Sequence, residues 1–330
     1  MQSLEMMKKL ICRLLVLILM FGSCWAQAQP QVIFDTDIDS DVDDVGALAM
    51  LLNMHNRNEI KLSAIVVTSD DPYAPLCVSA ICNYYTNDNI PIGFLQGQKN
   101  LHNHSRYTRQ ISEQFTSSLS SADCAEDGVE LYRRILAGSK NNAVTIITVG
   151  HLTSLMQLLQ SSPDKHSQLS GLKLVDRKVK QWYCMGGQYP SGKEANFYRP
   201  DPLSTHYCLQ NWRKPVVFCG WEIGNKVLSG GERLRQSLPE QHPVYQAYRL
   251  YNHFASRPSW DQLAVYMLCK NSSRYIEIID NGYCSVNESG ENSWIKEKNK
   301  LYKHAYICFK DESYAEVVAA EIDAMMCGHK

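Results

Sequence analysis

Short apolar runs alternate with helix-period segments along most of this chain, and that alternation restricts the fold more than any other feature. "QVIF" (31–34) reads as a buried strand and "VGALAMLLNMH" (45–55) as a helix. "KLSAIVVTS" predicts a second strand, "APLCVSAICNYY" a helix, "IPIGFL" a third strand, and "DGVELYRRILAG" an amphipathic helix. "AVTIITVG", a helix after Thr153, "KVKQWYCMGG", a helix after Pro202, and "PVVFCG" continue the series. Strands of four to eight residues separated by helices build βαβ units, which form a mostly parallel sheet flanked by helices. No repeat or Pro/Gly-rich linker interrupts the series, so the expectation is a single α/β domain.

The first 28 residues stand apart from this pattern. Lys8, Lys9 and Arg13 precede the apolar run "LLVLILMF", and Ala26-Gln27-Ala28 supplies small residues around a cleavage point, as in an export signal. The run is shorter than the roughly 20 residues needed to span a bilayer. Residues 1–28 are expected to be a signal peptide and 29–330 the catalytic domain, placing the mature protein in the periplasm or outside the cell. Lipidation of Cys24 is the alternative. Without Lys8, Lys9, Arg13 and Glu5, 30 basic face 33 acidic residues, which offers no surplus for nucleic acid. No second long apolar stretch suggests a membrane span. Ten cysteines remain, scattered singly without a CxxC pair, and most read as small core residues rather than zinc or redox groups.

In parallel sheets the ligand crevice lies beyond the carboxyl ends of the strands. Four unusual polar segments follow strands here: "DTDIDSDVDD" (35–44), "TSDDPY", "VGHLT" and "MGGQYPSGKEANF". They are expected to face one another. The first holds six carboxylates in ten residues, and the nearest basic side chain in sequence is Arg57. Such crowding raises carboxyl pKa values unless a cation intervenes. Oxygen ligands without His or Cys favour Ca²⁺ or Mg²⁺. The bland reading is a solvated acidic loop at a helix N-terminus. An EF-hand register fails: counting from Asp35 or Asp37 puts Ser40 or Val42 where Gly is required, and Gly46 or Leu48 where Glu is required.

"VIFDTDIDSDVDDVGALAMLL" resembles the calcium-dependent nucleoside hydrolases, the inosine-uridine-preferring family: a strand, a DxD turn, and a double Asp opening an Ala/Leu-rich helix. "TVGHLTS" (148–154), "MGGQYPSGKEANF" (185–197), "DPLSTHYCL" and "PSWDQLAVYM" (258–267) resemble further family segments in family order. The resemblance implies Asp37 as a calcium ligand and the base that activates water. It implies Asp44, the Val149 carbonyl and Asp261 as further ligands. Asp43 and Asn196 would contact the ribose hydroxyls, with Glu194 a further sugar contact. Asp71, where the family often carries Asn, is a possible ribose contact, against a simple Asx turn before Pro72. Trp260 stands where pyrimidine-tolerant members carry His, which resembles the purine-preferring branch, with an aromatic ring stacked on the base. His102, His104 and Tyr107 lie in a polar loop that is a candidate cover for the base, with surface histidines as the default reading. The partners implied are a nucleoside and, as relatives are commonly homodimers or homotetramers, further copies of the chain.

The turn departs from the commoner family form. It is two residues longer, and Asp39 has the short-form spacing to Asp43-Asp44 while Asp37 has the strand-DxD context; Asp37 is the residue chosen here. "FDTD" also resembles the opening of haloacid dehalogenase-type phosphatases, which would make Asp35 a nucleophile with Mg²⁺. A third expectation is a calcium-dependent nucleoside or sugar binder without turnover.

Overall fold

The structure is a computed structural model, and it describes residues 29–86, 88–95, 97, 107–297 and 299–329. The expected signal segment and His102 and His104 lie outside the described residues.

Nine strands form the main sheet: β1 (Gln31–Thr36), β2 (Lys61–Val67), β3 (Ile92–Phe94), β4 (Glu126–Asp127), β5 (Val144–Thr148), β6 (Val179–Met185), β7 (Val216–Cys219), β8 (Ile276–Ile279) and β9 (His304–Phe309). Their spatial order is β8-β9-β7-β6-β5-β1-β2-β3-β4. Every pairing is parallel except β8 with β9. The architecture is a single α/β domain with a mostly parallel sheet between two helical layers, as the alternation predicts. Period-two alternation explains the two layers: Val32 and Phe34 enter one core, while Ile33 enters the other.

The chain runs from β1 outward to β4 and then returns to place β5 on the other side of β1. The carboxyl ends of β1 and β5 therefore flank the point where strand order reverses, the preferred place for a ligand crevice in such sheets. One core layer contains the helices Asp43–Asn56, Ala74–Tyr85, Trp260–Tyr266 and Tyr314–Met326. The helix Asp43–Asn56 is buried on nearly all sides. Gly46 lets the chain approach it closely, since a Cβ there would lie 2.5 Å from Gln262 Nε2 and 2.6 Å from the Tyr248 hydroxyl. That close approach brings the start of the helix Trp260–Tyr266 to the start of the helix Asp43–Asn56.

The alternation does not foretell the antiparallel edge β8 or a small antiparallel sheet in which Tyr283–Val286 and Asn292–Ile295 join Ser191–Gly192 from the middle of the chain. All ten described cysteines are free thiols, and six are buried. Among the described residues no helix is long and apolar enough to cross a membrane.

Candidate active site

The turn after β1 is held from behind by its own alternate residues. Asp35, 1% exposed, accepts hydrogen bonds from the Thr68 hydroxyl and from Tyr132 Oη at 2.7 Å. Burial raises its pKa to about 7, against the lowering effect of those two bonds. Asp39 is fully buried and accepts from the Ser69 hydroxyl. Thr36 donates to Asp44, and Tyr107 Oη donates to the Asp41 carbonyl at 2.6 Å. Pinned in this way, the turn leaves Asp37, Asp41 and Asp43 facing a cavity of about 480 Å³. That volume falls within the ~300–1,000 Å³ of small-molecule sites.

Asp261 reaches the same place from the other end of the chain. Oxygens of Asp41, Asp43, Asp44 and Asp261 lie within 4.8 Å of one another, and Asp37 lines the cavity beside them. Burial raises the pKa values of Asp37, Asp43, Asp44 and Asp261 well above the carboxylate range. Their mutual repulsion pushes in the same direction, chiefly from Asp39 and Asp41 on Asp37 and from Asp43 and Asp44 on Asp261. A bound cation inverts this balance by favouring the ionised forms. The donors are all oxygens, closely grouped and mostly buried, which suits a hard divalent cation.

One protein cation already enters the cluster. Arg257 Nη2 lies 2.5 Å from Asp41 Oδ2, and its Nε lies 3.6 Å from Asp43 Oδ1. Burial alone would lower the Arg257 pKa, but Asp41 and Asp43 raise it above the ordinary guanidinium value. Its guanidinium also sits 5.1 Å from the Tyr251 ring centre and 5.2 Å from that of Trp260.

The opposite wall comes from the ends of β5 and β6. Val149 follows β5, and its carbonyl accepts from Asn196 Nδ2 at 2.7 Å. The Glu194 carboxylate accepts from the Gly187 amide at 2.9 Å and the Asn196 amide at 2.8 Å, and so fixes the "MGG" turn to the start of the short helix Ala195–Tyr198. Burial lifts the Glu194 pKa to about 7 despite those bonds. Trp260 lines the cavity, donates to the Trp221 carbonyl at 3.1 Å, and packs on Gly224, where a Cβ would lie 2.3 Å from the indole.

The sequence itself decides the assignment. The model of the inosine-uridine preferring nucleoside hydrolases matches residues 32–324. The chain belongs to that family. It is an N-ribosyl hydrolase. The fold is similar to a plant nucleoside hydrolase, the PpNRh1 enzyme, with a TM-score of 0.62, 15% identity, and coverage of 90% of this chain and 99% of that one. It is similar to the purine-preferring ribonucleoside hydrolase from Gardnerella vaginalis, with a TM-score of 0.67, 15% identity, and coverage of 90% and 98%. It is also similar to an inosine-guanosine nucleoside hydrolase, with a TM-score of 0.56, 13% identity, and coverage of 90% and 98%. No curated protein matches the chain by sequence.

Within this nucleoside hydrolase, eight of the nine residues given a metal, base or substrate role from the sequence meet at one place, whereas Tyr107, expected in a loop over the base, is buried beneath the acidic turn and does not line the cavity. Asp37, Asp43, Val149, Glu194, Asn196, Trp260 and Asp261 line the cavity, and Asp44 joins the acidic group at its floor. Asp71 does not line it. Its Oδ1 accepts from the Tyr73 amide at 2.9 Å and its Oδ2 from Thr108 Oγ1 at 2.6 Å, an Asx turn braced by a neighbouring helix. The expectation that the "TSDDPY" loop faces the other three is therefore corrected: it buttresses the acidic turn through Ser69 and Asp39. His151 bonds Thr153 at 2.8 Å, away from the lining. Asp41, Arg199, Trp221 and Arg257 are cavity residues that the sequence reading gave no role.

Proposed function

We propose that this hydrolase cleaves ribonucleosides to ribose and free base, with a preference for purines. The observation that carries the proposal is the meeting of Asp261 with Asp43 and Asp44 at the floor of a cavity that also presents Asp37 and Asn196. Asp37, Asp44, Asp261 and the Val149 carbonyl would hold calcium. That ion supplies, when bound, a charge that orients a sugar diol and acidifies water.

The chain's own residues perform the remaining tasks. Asp37 takes a proton from the attacking water, a contribution of typically ~10²–10⁴-fold for a positioned base. Asp43 and Asn196 receive the ribose hydroxyls. Glu194 holds the backbone that positions Asn196. The sugar becomes oxocarbenium-like as the N-ribosidic bond breaks, and the acidic floor favours that positive charge. Trp260 offers an indole face to a purine.

The phosphatase alternative needs Asp35 as an accessible nucleophile. Asp35 is buried, and its two oxygens are engaged by Thr68 and Tyr132. A non-catalytic binder would hold nucleosides without turnover. Incubation with a panel of purine and pyrimidine nucleosides, with and without a chelator, separates these readings. Calcium-dependent release of reducing sugar, faster from inosine than from uridine, is expected. Binding without sugar release would overturn hydrolysis. Export through residues 1–28 belongs to the same proposal and is tested by the N-terminal sequence of the mature protein.

A further inference from the structure

The cavity is electrically lopsided. Its floor is acidic, and Arg257 is committed to Asp41 and Asp43. Arg199 lines the same cavity, is exposed, and makes no ion pair among the described residues. Its guanidinium carbon rests 5.6 Å from the Tyr198 ring centre. Lys193, also exposed and without a carboxylate partner among the described residues, rests against the same ring at 5.3 Å. The carboxylate of Glu194 lies between them in sequence, but its oxygens are taken by the amides of Gly187 and Asn196. Arg199 at the cavity wall and Lys193 outside its lining thus share one aromatic ring, and the buried Glu194 feels the charge of Arg199 without forming an ion pair with it.

Their position in the chain says which part of a substrate they would meet. Arg199 follows the short helix that carries Asn196, and its amide bonds the Ala195 carbonyl at 2.9 Å. The stacking ring, Trp260, belongs to a separate helix. In a bound ribose, C1′ is the reacting carbon and the 2′- and 3′-hydroxyls are gripped at the acidic floor. The 5′ carbon is the remaining position that bears an exocyclic substituent. An exposed guanidinium that forms no ion pair among the described residues, with a lysine on the same ring, favours a phosphate there through charge-assisted hydrogen bonds.

On the reading of this chain as a nucleoside hydrolase, we propose that Lys193 and Arg199 form an anion-binding mouth and that the preferred substrate is a nucleoside 5′-monophosphate. The reaction keeps its balance. The oxygen of water bonds to C1′, the C1′–N bond breaks, and its electron pair leaves with the base. The proton that Asp37 removes from water is matched by the one the base acquires. The products are ribose 5-phosphate and free base.

The test compares adenosine with adenosine 5′-monophosphate, and inosine with inosine 5′-monophosphate, following base release by the calcium-loaded full-length mature protein. The expected kcat/KM is about tenfold higher for the monophosphates at low salt, mostly through KM, and the preference shrinks as salt rises. In Lys193→Ala/Arg199→Ala, the ratio of monophosphate to nucleoside falls toward one, while Arg199→Lys retains part of it. Ribose 5-phosphate should inhibit more strongly than ribose in the wild type, and this difference should disappear in the double variant. Equal or poorer cleavage of monophosphates overturns the proposal and leaves nucleoside hydrolysis standing. Equal losses on both substrates in the double variant also overturn it. Failure to release base from any of the four compounds removes the hydrolase reading and this proposal together.

Discussion

A Cβ on Gly150 would stand 2.5 Å from Cγ of Asp37. No real side-chain carbon tolerates that distance, so glycine at 150 is what allows the Asp37 carboxylate to occupy its place. Gly150→Ala is expected to displace the carboxylate and lower kcat about a hundredfold, as small misplacements of catalytic groups do. Asp37→Asn should lose ~10²–10⁴-fold. Base-release kinetics together with thermal unfolding check both, since the variants should fold. Full turnover in Asp37→Asn would sink the assignment of the base.

Arg257 is expected to act as the resident counter-charge of the metal-free protein. Breaking a fully buried pair costs ~3–5 kcal/mol, but Asp41 and Arg257 are each about a quarter exposed. Screening by solvent reduces the expected cost of Arg257→Met to about 1–3 kcal/mol. Calcium should then raise the Tm of the variant more than that of the wild type, because more of the negative charge awaits it. Equal calcium shifts in the two proteins would show that Arg257 and the ion do not compensate for one another.

Asp261 closes the acidic group from the far end of the chain, so its removal should weaken the metal more than it weakens the fold. A ligand present at a hundred times its Kd stabilises a protein by about 2.7 kcal/mol. Asp261→Asn is expected to lose most of the calcium-induced rise in stability seen in the wild type, measured by denaturation with calcium and with chelator. An undiminished rise would remove Asp261 from the ligand set.

His304 supplies a test by pH. Its Nδ1 accepts from the Cys284 amide at 3.2 Å, and burial, helped by Arg213, lowers its pKa to about 3. The unfolded chain takes up this proton near pH 6.5, whereas the folded protein does not until about pH 3. Between those values the unfolded state holds the extra proton, so this residue's contribution to stability declines as pH falls, by ~1.4 kcal/mol per unit. His304→Asn keeps an acceptor and abolishes the titration. The stability gap between wild type and variant should narrow by about that amount per unit on going from pH 6.5 to pH 5 in urea unfolding. A constant gap would mean that His304 is not buried in its neutral form.

Much of the site was legible because its chemistry is written in local runs. Six carboxylates after "QVIF" marked the turn as a candidate cation site, and the strand-DxD context favoured Asp37 over Asp39. In the structure Asp39 turns inward to Ser69, while Asp37 lines the cavity. Arg257 was illegible. It lies 216 positions from Asp41, and nothing in "ASRPSW" marks its arginine as the partner of an acidic turn. Asp71 misled for the opposite reason. Its loop follows a strand beside β1, yet Tyr73 and Thr108 occupy its oxygens, a tertiary detail without a sequence signature. The strands of the last third stayed hidden because β8, Ile276–Ile279, is a short edge strand outside the βαβ rhythm.

The meeting of Arg257 and Asp261 with the turn at 41–44 also sets an order of assembly. A ribosome that has reached residue 250 has already produced β1 to β7 and the whole acidic turn, but neither residue that completes it. A chain cut short there would hold most of a sheet whose central crevice is crowded with unanswered negative charge. The final stretch of polypeptide works as a keystone, and a prematurely ended product should be unfit for chemistry and distinctly less stable than its missing strands alone would make it.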